Sequence, residues 1–189
     1  MAVDVDTLER VVNATGRLVA GIREDQLVAP TPCDEWAVRD LLSHLVGTTQ
    51  MFIAAARGEP SDGQPFAFPA DAIASDVAAS YDEATSAAVA SWRNRGLDGL
   101  VTLPPGDMPA EVAISIEFTD NLVHAWDLAR ATQQRFDLDP HLVEHAWEFL
   151  NGNISDGSRG EGGMFGHAVT VADDAAALDR LLAYSGRTP

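Results

Sequence analysis

The sequence predicts an all-α protein built as an antiparallel four-helix bundle, and three observations predict it. Apolar residues recur at the 3, 4 spacing of a helix through four long stretches. Prolines fall between those stretches and not inside them. The only stretch that suits a strand, 96–109, is short and interrupted by proline, so at most one short extended segment is expected. With 189 residues, 46% of them hydrophobic, the chain can bury one sizeable core. A single domain over 1–189 is the expectation, with a short C-terminal extension over about 151–189 that carries short extra helices.

Each element follows in order. Leu8, Val11, Val12, Thr15, Leu18, Val19 and Ile22 form one stripe of a first helix, which Asp4 or Asp6 can cap. VAPTPCDEW is a loop with two prolines. Val38, Leu41, Leu42, Leu45, Val46, Thr49, Phe52 and Ile53 then mark a second helix that Gly58 ends. After the polar connection GEPSDGQPFAFP, an alanine-rich helix runs from about Ala70 to Arg95, with Ile73, Val77, Tyr81, Ala84, Ala88 and Trp92 on one face. GLDGLVTLPPGDMP suits an irregular crossover. A fourth helix spans about Ala110 to Gln133, Asp139 and Pro140 open a fifth that reaches Leu150, and a glycine-rich loop leads to a last short helix near Ala175–Tyr184.

Helix 4 sorts into three lengthwise stripes. Two are mostly apolar, and the third is Glu117, Asp120, His124 and Asp127. Asp120 and His124 stand four apart, so both side chains reach one point, which can be a metal ion, a proton-transfer site or plain water. A solvent-facing stripe explains the pattern equally well. On helix 2, His44 shares its side with Leu41, Thr48, Met51 and Ala55, whereas Arg39, Gln50 and Arg57 mark another, so His44 points inward or sideways. His44, Asp120 and His124 together offer two imidazole nitrogens and a carboxylate, a set that leaves a metal open to water or substrate. HLVEH, residues 141–145, spells the H-x-x-E-H of inverted zinc peptidases. A solvated face opposite Leu142, Val143, Ala146 and Leu150 accounts for His141, Glu144, His145 and Glu148 without further assumptions.

Other chemistry finds little support. All 12 basic residues are Arg, and a chain without Lys has no Schiff-base chemistry and no Walker-type phosphate loop. The formal charge of -17 repels nucleic acid and anionic membranes. Cys33 is the single cysteine, so the chain has no internal disulfide, and the neighbouring Asp34 and Glu35 disfavour a thiolate there; a packing or loop role is expected. GSRGEGGMFG reads as a flexible loop, and no G-x-S-x-G elbow occurs. MAVDVDTLER lacks the features of a signal peptide, and no apolar run is long enough for a membrane span, which points to the cytoplasm.

PTPCDEWAVRDLLSHLVG, DNLVHAWDLARAT and MFGHAVTVADDAAALDRLLAYSGRTP resemble, in combination, the metal-binding family related to the N-terminal domain of mycothiol-dependent maleylpyruvate isomerase, in the DinB-like superfamily of four-helix bundles. The resemblance implies a divalent metal ion, zinc or nickel, held by a His of the second helix and a carboxylate-x-x-x-His pair of the fourth. Those positions are His44, Asp120 and His124, while Trp36, Arg39 and Trp126 match framework positions. Isomerases of this kind place Glu where this chain has Asp120, relatives often have a capping Thr at the position of Ala37, and a separate C-terminal domain supplies catalytic groups for which 151–189 is too short.

The expectation is therefore a metal-dependent isomerase or S-transferase that uses a low-molecular-weight thiol such as mycothiol on a small electrophile. Arg130 and Arg159 are the candidates for holding a carboxylate of the thiol or substrate. The rival is a non-enzymatic module that binds a metal or a small molecule. A homodimer through an apolar helix face suits a bundle of this size. The segments 58–69 and around Gly160 are candidate lids.

Overall fold

The computed structural model describes residues 3–33, 36–60, 73, 76–104, 106–154, 157, 159, 160 and 165–189. They form two compact units, one ending at Phe136 and the other comprising Asp137–Pro189. The first holds α1 (Val5–Ala20), α2 (Val38–Arg57), α3 (Val77–Arg95), the strands β1 (Leu100–Leu103) and β2 (Gly106–Pro109), and α4 (Ala110–Thr132). The second holds α5 (Pro140–Asn153) and α6 (Ala177–Tyr184). No helix of the described residues is long and apolar enough to cross a membrane.

Helix ends follow from capping. Asp4 accepts the Thr7 N–H at 2.8 Å and starts α1. Asp139 accepts the His141 N–H at 2.9 Å ahead of Pro140 and starts α5. Gly58 adopts φ 68° and closes α2 through the left-handed conformation that glycine favours. α3 begins later than its alanine-rich pattern suggests, at Val77 rather than near Ala70. Asp76 captures the Ala79 N–H at 3.0 Å and makes itself the cap, while residues 70–72, 74 and 75 lie outside the described part. Where one extended piece was expected, two four-residue strands pair as an antiparallel hairpin, with Val101 opposite Met108.

The bundle runs up, down, down, up. The C-terminal ends of α1 and α4 lie together, since Gln134 Nε2 donates to the Leu18 carbonyl at 2.9 Å. Arg93, near the end of α3, reaches Asp6 and Glu9 at the start of α1, so α1 and α3 are antiparallel. The end of α2 meets the end of α3, where Arg57 Nε donates to Ser91 Oγ at 3.2 Å, so these two are parallel. Parallel neighbours need a connection long enough to return along the bundle, and residues 58–76 stand between them. Each of α1 and α2 packs on both α3 and α4, which leaves α3 diagonal to α4. Trp92, Tyr81, Phe52, Phe118, Leu41 and Ile114 fill the fully buried interior.

Two polar bonds cross that diagonal. The Tyr81 hydroxyl donates to Asn121 Oδ1 at 2.7 Å, and Trp92 Nε1 donates to Glu117 Oε2 at 2.7 Å. Burial of polar groups is costly unless they are paired, so these bonds set the rotation of α4 about its own axis. In the C-terminal unit, Leu142, Val143, Ala146 and Leu150 of α5 and Leu181, Leu182 and Ala183 of α6 are buried. Trp147 and Tyr184 meet edge to face at 5.5 Å between ring centroids.

Candidate metal centre

The loop before α2 is tied down by backbone pairing. Val38 N–H donates to the Ala29 carbonyl and Arg39 N–H to the Leu27 carbonyl, which satisfies two of the otherwise orphaned donors of the first turn. Ala37 has no side chain to cap with, and Asp40 Oδ2 instead accepts the Ala37 N–H at 2.9 Å. This fixed entry places His44 two turns into α2 with only 3% of its surface exposed. The loop also carries Cys33 and Trp36 back toward α4.

The polar stripe of α4 faces inward. Glu117 is 1% exposed and Asp127 is fully buried, so the reading of a solvated stripe does not hold. The two diagonal bonds explain why: Tyr81 and Trp92 engage Asn121 and Glu117 and turn this side of α4 to the interior. His44 Nε2 lies 3.2 Å and His124 Nε2 3.3 Å from Asp120 Oδ1. The donor atoms of the three residues fall within 4.8 Å of one another. A tetrahedral zinc with bonds of ~2.0 Å sets neighbouring nitrogen and oxygen donors about 3.3 Å apart, so this donor set fits a divalent ion. Asp120 retains 22% of its side-chain exposure, which gives the otherwise buried group its access to solvent.

The surroundings orient these groups. Asp127 Oδ2 accepts the Nδ1–H of His124 at 2.9 Å, the carboxylate–imidazole support typical of histidines that ligate through the opposite nitrogen. Thr48 Oγ1 donates to Asp120 Oδ2 at 3.5 Å. The Trp36 ring lies 5.0 Å from that of His44 and 6.1 Å from that of His124.

Burial by itself would raise the Asp120 carboxyl, but the two imidazoles outweigh it and hold it well below the usual carboxylate range. Burial would lower His124, and Asp120, Asp127 and Cys33 overcome it, so the imidazole stays protonated well above its ordinary value when no metal is bound. Glu117 behaves oppositely. Desolvation pushes it up to about 8, opposed by the Trp92 hydrogen bond and reinforced by the negative Asp120.

Each of the other residues singled out by sequence has its own surroundings. Arg130 is exposed, off the polar stripe, with its guanidinium 5.5 Å from the Trp126 ring centroid. Arg159 belongs to the C-terminal unit, where it donates to the Gly166 and Tyr184 carbonyls and lies over the Tyr184 ring. In HLVEH, His141 and Glu144 are exposed, His145 is half-buried, and Glu144 lies 3.8 Å from Arg180, as a solvated face predicts. The two candidate lid segments fall mostly outside the described residues.

Cys33 is more than a loop filler. Its Sγ lies 3.3 Å from Asp127 Oδ2 and 3.8 Å from His124 Nδ1. Periodicity carries no signal for that contact, because Cys33 precedes α2 by a loop. Asp127, by contrast, stands three residues after His124, the helical spacing at which a carboxylate supports an imidazole.

Comparison with known proteins agrees with this architecture. Residues 8–129 match the family described as the mycothiol maleylpyruvate isomerase N-terminal domain. The chain belongs to this family. Two relatives, the uncharacterized proteins MT0763 and Rv0738 from two strains of Mycobacterium tuberculosis, are each 36% identical over 183 residues, 95% of either chain. The crystal structure of the mycothiol-dependent maleylpyruvate isomerase superposes with a TM-score of 0.59 at 12% identity, over 77% of this chain and 65% of that one. A histidine-to-alanine variant of the isomerase gives 0.60, over 85% and 72%. This family member thus shares the isomerase's fold while spanning about two thirds of its length.

Proposed function

We propose that this family member is a divalent-metal-binding, thiol-dependent enzyme, an isomerase or S-transferase of the mycothiol type acting on a small electrophile, with His44, Asp120 and His124 as the metal ligands. The observation that carries the reading is the convergence of two imidazoles and one partly exposed carboxylate inside the bundle of a chain in this family. Three protein ligands leave positions free for a thiol or substrate.

When bound, zinc or nickel supplies a positive charge that lowers the pKa of a coordinated thiol and presents it as a thiolate. The chain's own groups prepare the place. Asp127 fixes the His124 ring so that Nε2 faces Asp120, and Thr48 restrains the second carboxylate oxygen of Asp120. Trp36 covers both imidazoles on one side and limits water there. Asp120, one methylene shorter than the Glu of the isomerases it resembles, draws the site closer to α4. We assign to Arg130 and Arg159 the recognition of a carboxylate on the thiol or substrate, with a raised KM for the thiol expected in Arg130→Ala and Arg159→Ala.

Protein purified without a histidine tag is expected to carry near-stoichiometric zinc or nickel by elemental analysis. It should turn over a member of an electrophile panel only when metal and a low-molecular-weight thiol are both present. A second reading is a non-enzymatic binding module, which the same buried donor set would serve without a thiol. Metal binding without any thiol-dependent turnover would select that module, and no metal even after incubation with zinc would sink both.

A further inference from the structure

The candidate ligands use one edge of the His124 ring, Nε2. The opposite edge faces a different group of donors, built from the loop before α2 and from α4. Cys33 Sγ, His124 Nδ1 and Asp127 Oδ2 stand 3.3 Å (sulfur to oxygen), 3.8 Å (sulfur to nitrogen) and 2.9 Å (nitrogen to oxygen) apart. A tetrahedral ion with Zn–S bonds of ~2.3 Å and Zn–N and Zn–O bonds of ~2.0 Å separates such donors by about 3.3–3.6 Å, so only small shifts bring all three onto one ion. Asp127 is fully buried and His124 nearly so, whereas Cys33 is half-buried and gives this edge a route to solvent. The three donors are a thiol, an imidazole and a carboxylate, and the sulfur makes the set selective for soft, thiophilic cations.

We propose that Cys33, His124 and Asp127 form a second cation site, for a thiophilic divalent ion, that shares the His124 imidazole with the first site and fills in its place. A neutral imidazole has one lone pair. With the proton on Nδ1, held by Asp127, the lone pair of Nε2 serves the side of His44 and Asp120. With the proton on Nε2, directed at Asp120 3.3 Å away, the lone pair of Nδ1 serves Cys33 and Asp127. The ring therefore ligates on one edge at a time. Binding on the sulfur side releases the Cys33 proton to solvent.

The test is a Cd2+ titration of the reduced full-length chain, followed by the ultraviolet charge-transfer absorption of a cadmium thiolate. Cys33 is the single cysteine, so any such band reports this sulfur. One equivalent should saturate the band in wild type and in His44→Ala, which lacks an imidazole of the first site but none of the second. Asp127→Asn and His124→Gln, checked for folding by circular dichroism, should each shift the midpoint upward by at least the ~10-fold that loss of even a supporting residue causes. Zinc-loaded protein should release its zinc as the band grows. No band in wild type, or a midpoint unchanged in both variants, overturns the site. Full zinc retention at band saturation overturns the shared ring. Because the band is read in His44→Ala as well, failure of the first site leaves this result standing, and the reverse holds too.

Discussion

Residues 120–124 and 141–145 look alike in the sequence. Each places a histidine and a carboxylate within one helical turn, and the second matches a known zinc motif more literally than the first. Their surroundings differ completely. Asp120 and His124 sit on the side of α4 that Tyr81 and Trp92 turn inward, where His44 Nε2 of α2 lies 3.2 Å from Asp120 Oδ1. His141 and Glu144 project from the outer face of α5, whose buried residues are Leu142, Val143, Ala146 and Leu150. Spacing along one helix brings two donors together. A third donor and partial removal of water come only from neighbouring elements, and together with the supporting carboxylate of Asp127, three residues along α4, they turn a histidine into a candidate metal ligand.

The strongest way to break this comparison is to exchange its two halves. His44→Ala and His124→Ala should weaken zinc binding by more than the ~100-fold upper end for loss of a supporting residue. His145→Ala should leave the zinc dissociation constant unchanged in isothermal titration; the opposite ranking would move the site to α5.

The next effect concerns the price of burial on α4. Glu117 has a folded-state pKa of about 8 against an ordinary 4.5, so the folded chain holds this proton more tightly than the unfolded chain. Stability is therefore unaffected by this group below about pH 4.5 and declines as pH rises from there through about 8. Glu117→Gln, measured by thermal unfolding between pH 5 and 9, should gain on wild type as pH rises, by on the order of 4 kcal/mol across the window. Parallel curves for the two proteins would show that Glu117 is not held neutral by its surroundings.

Asp127→Asn sharpens the contrast within the site. It leaves all three candidate ligands in place but removes the charged acceptor behind His124, and zinc affinity should fall by ~10–100-fold. An unchanged affinity would reduce Asp127 to a core-packing residue. The smallest effect is a control on α5. Asp139→Ala removes its cap and should lower the opening free energy of the first-turn amides by about 1 kcal/mol in hydrogen exchange, with no change in zinc affinity. A loss of affinity there would tie α5 to the metal site.

Local chemistry wrote much of this protein into its sequence. The four long helices, the caps at Asp4 and Asp139 and the stop at Gly58 all depend on neighbours within a few residues, and each is readable from period and residue type. The spacing of Asp120 and His124, and the inward tilt of His44, were readable for the same reason. The start of α3 was not, because an alanine-rich run has no apolar contrast by which to place Asp76 as its cap. The strand pair was hidden by its length and its prolines. Which face of α4 is buried was decided only in three dimensions, by hydrogen bonds to Tyr81 and Trp92 from a helix across the bundle. So was the approach of Cys33 to Asp127, 94 positions later in the chain. Periodicity reports that a helix has faces, but the partner that each face meets depends on the up, down, down, up path of the chain, and no local pattern encodes that path.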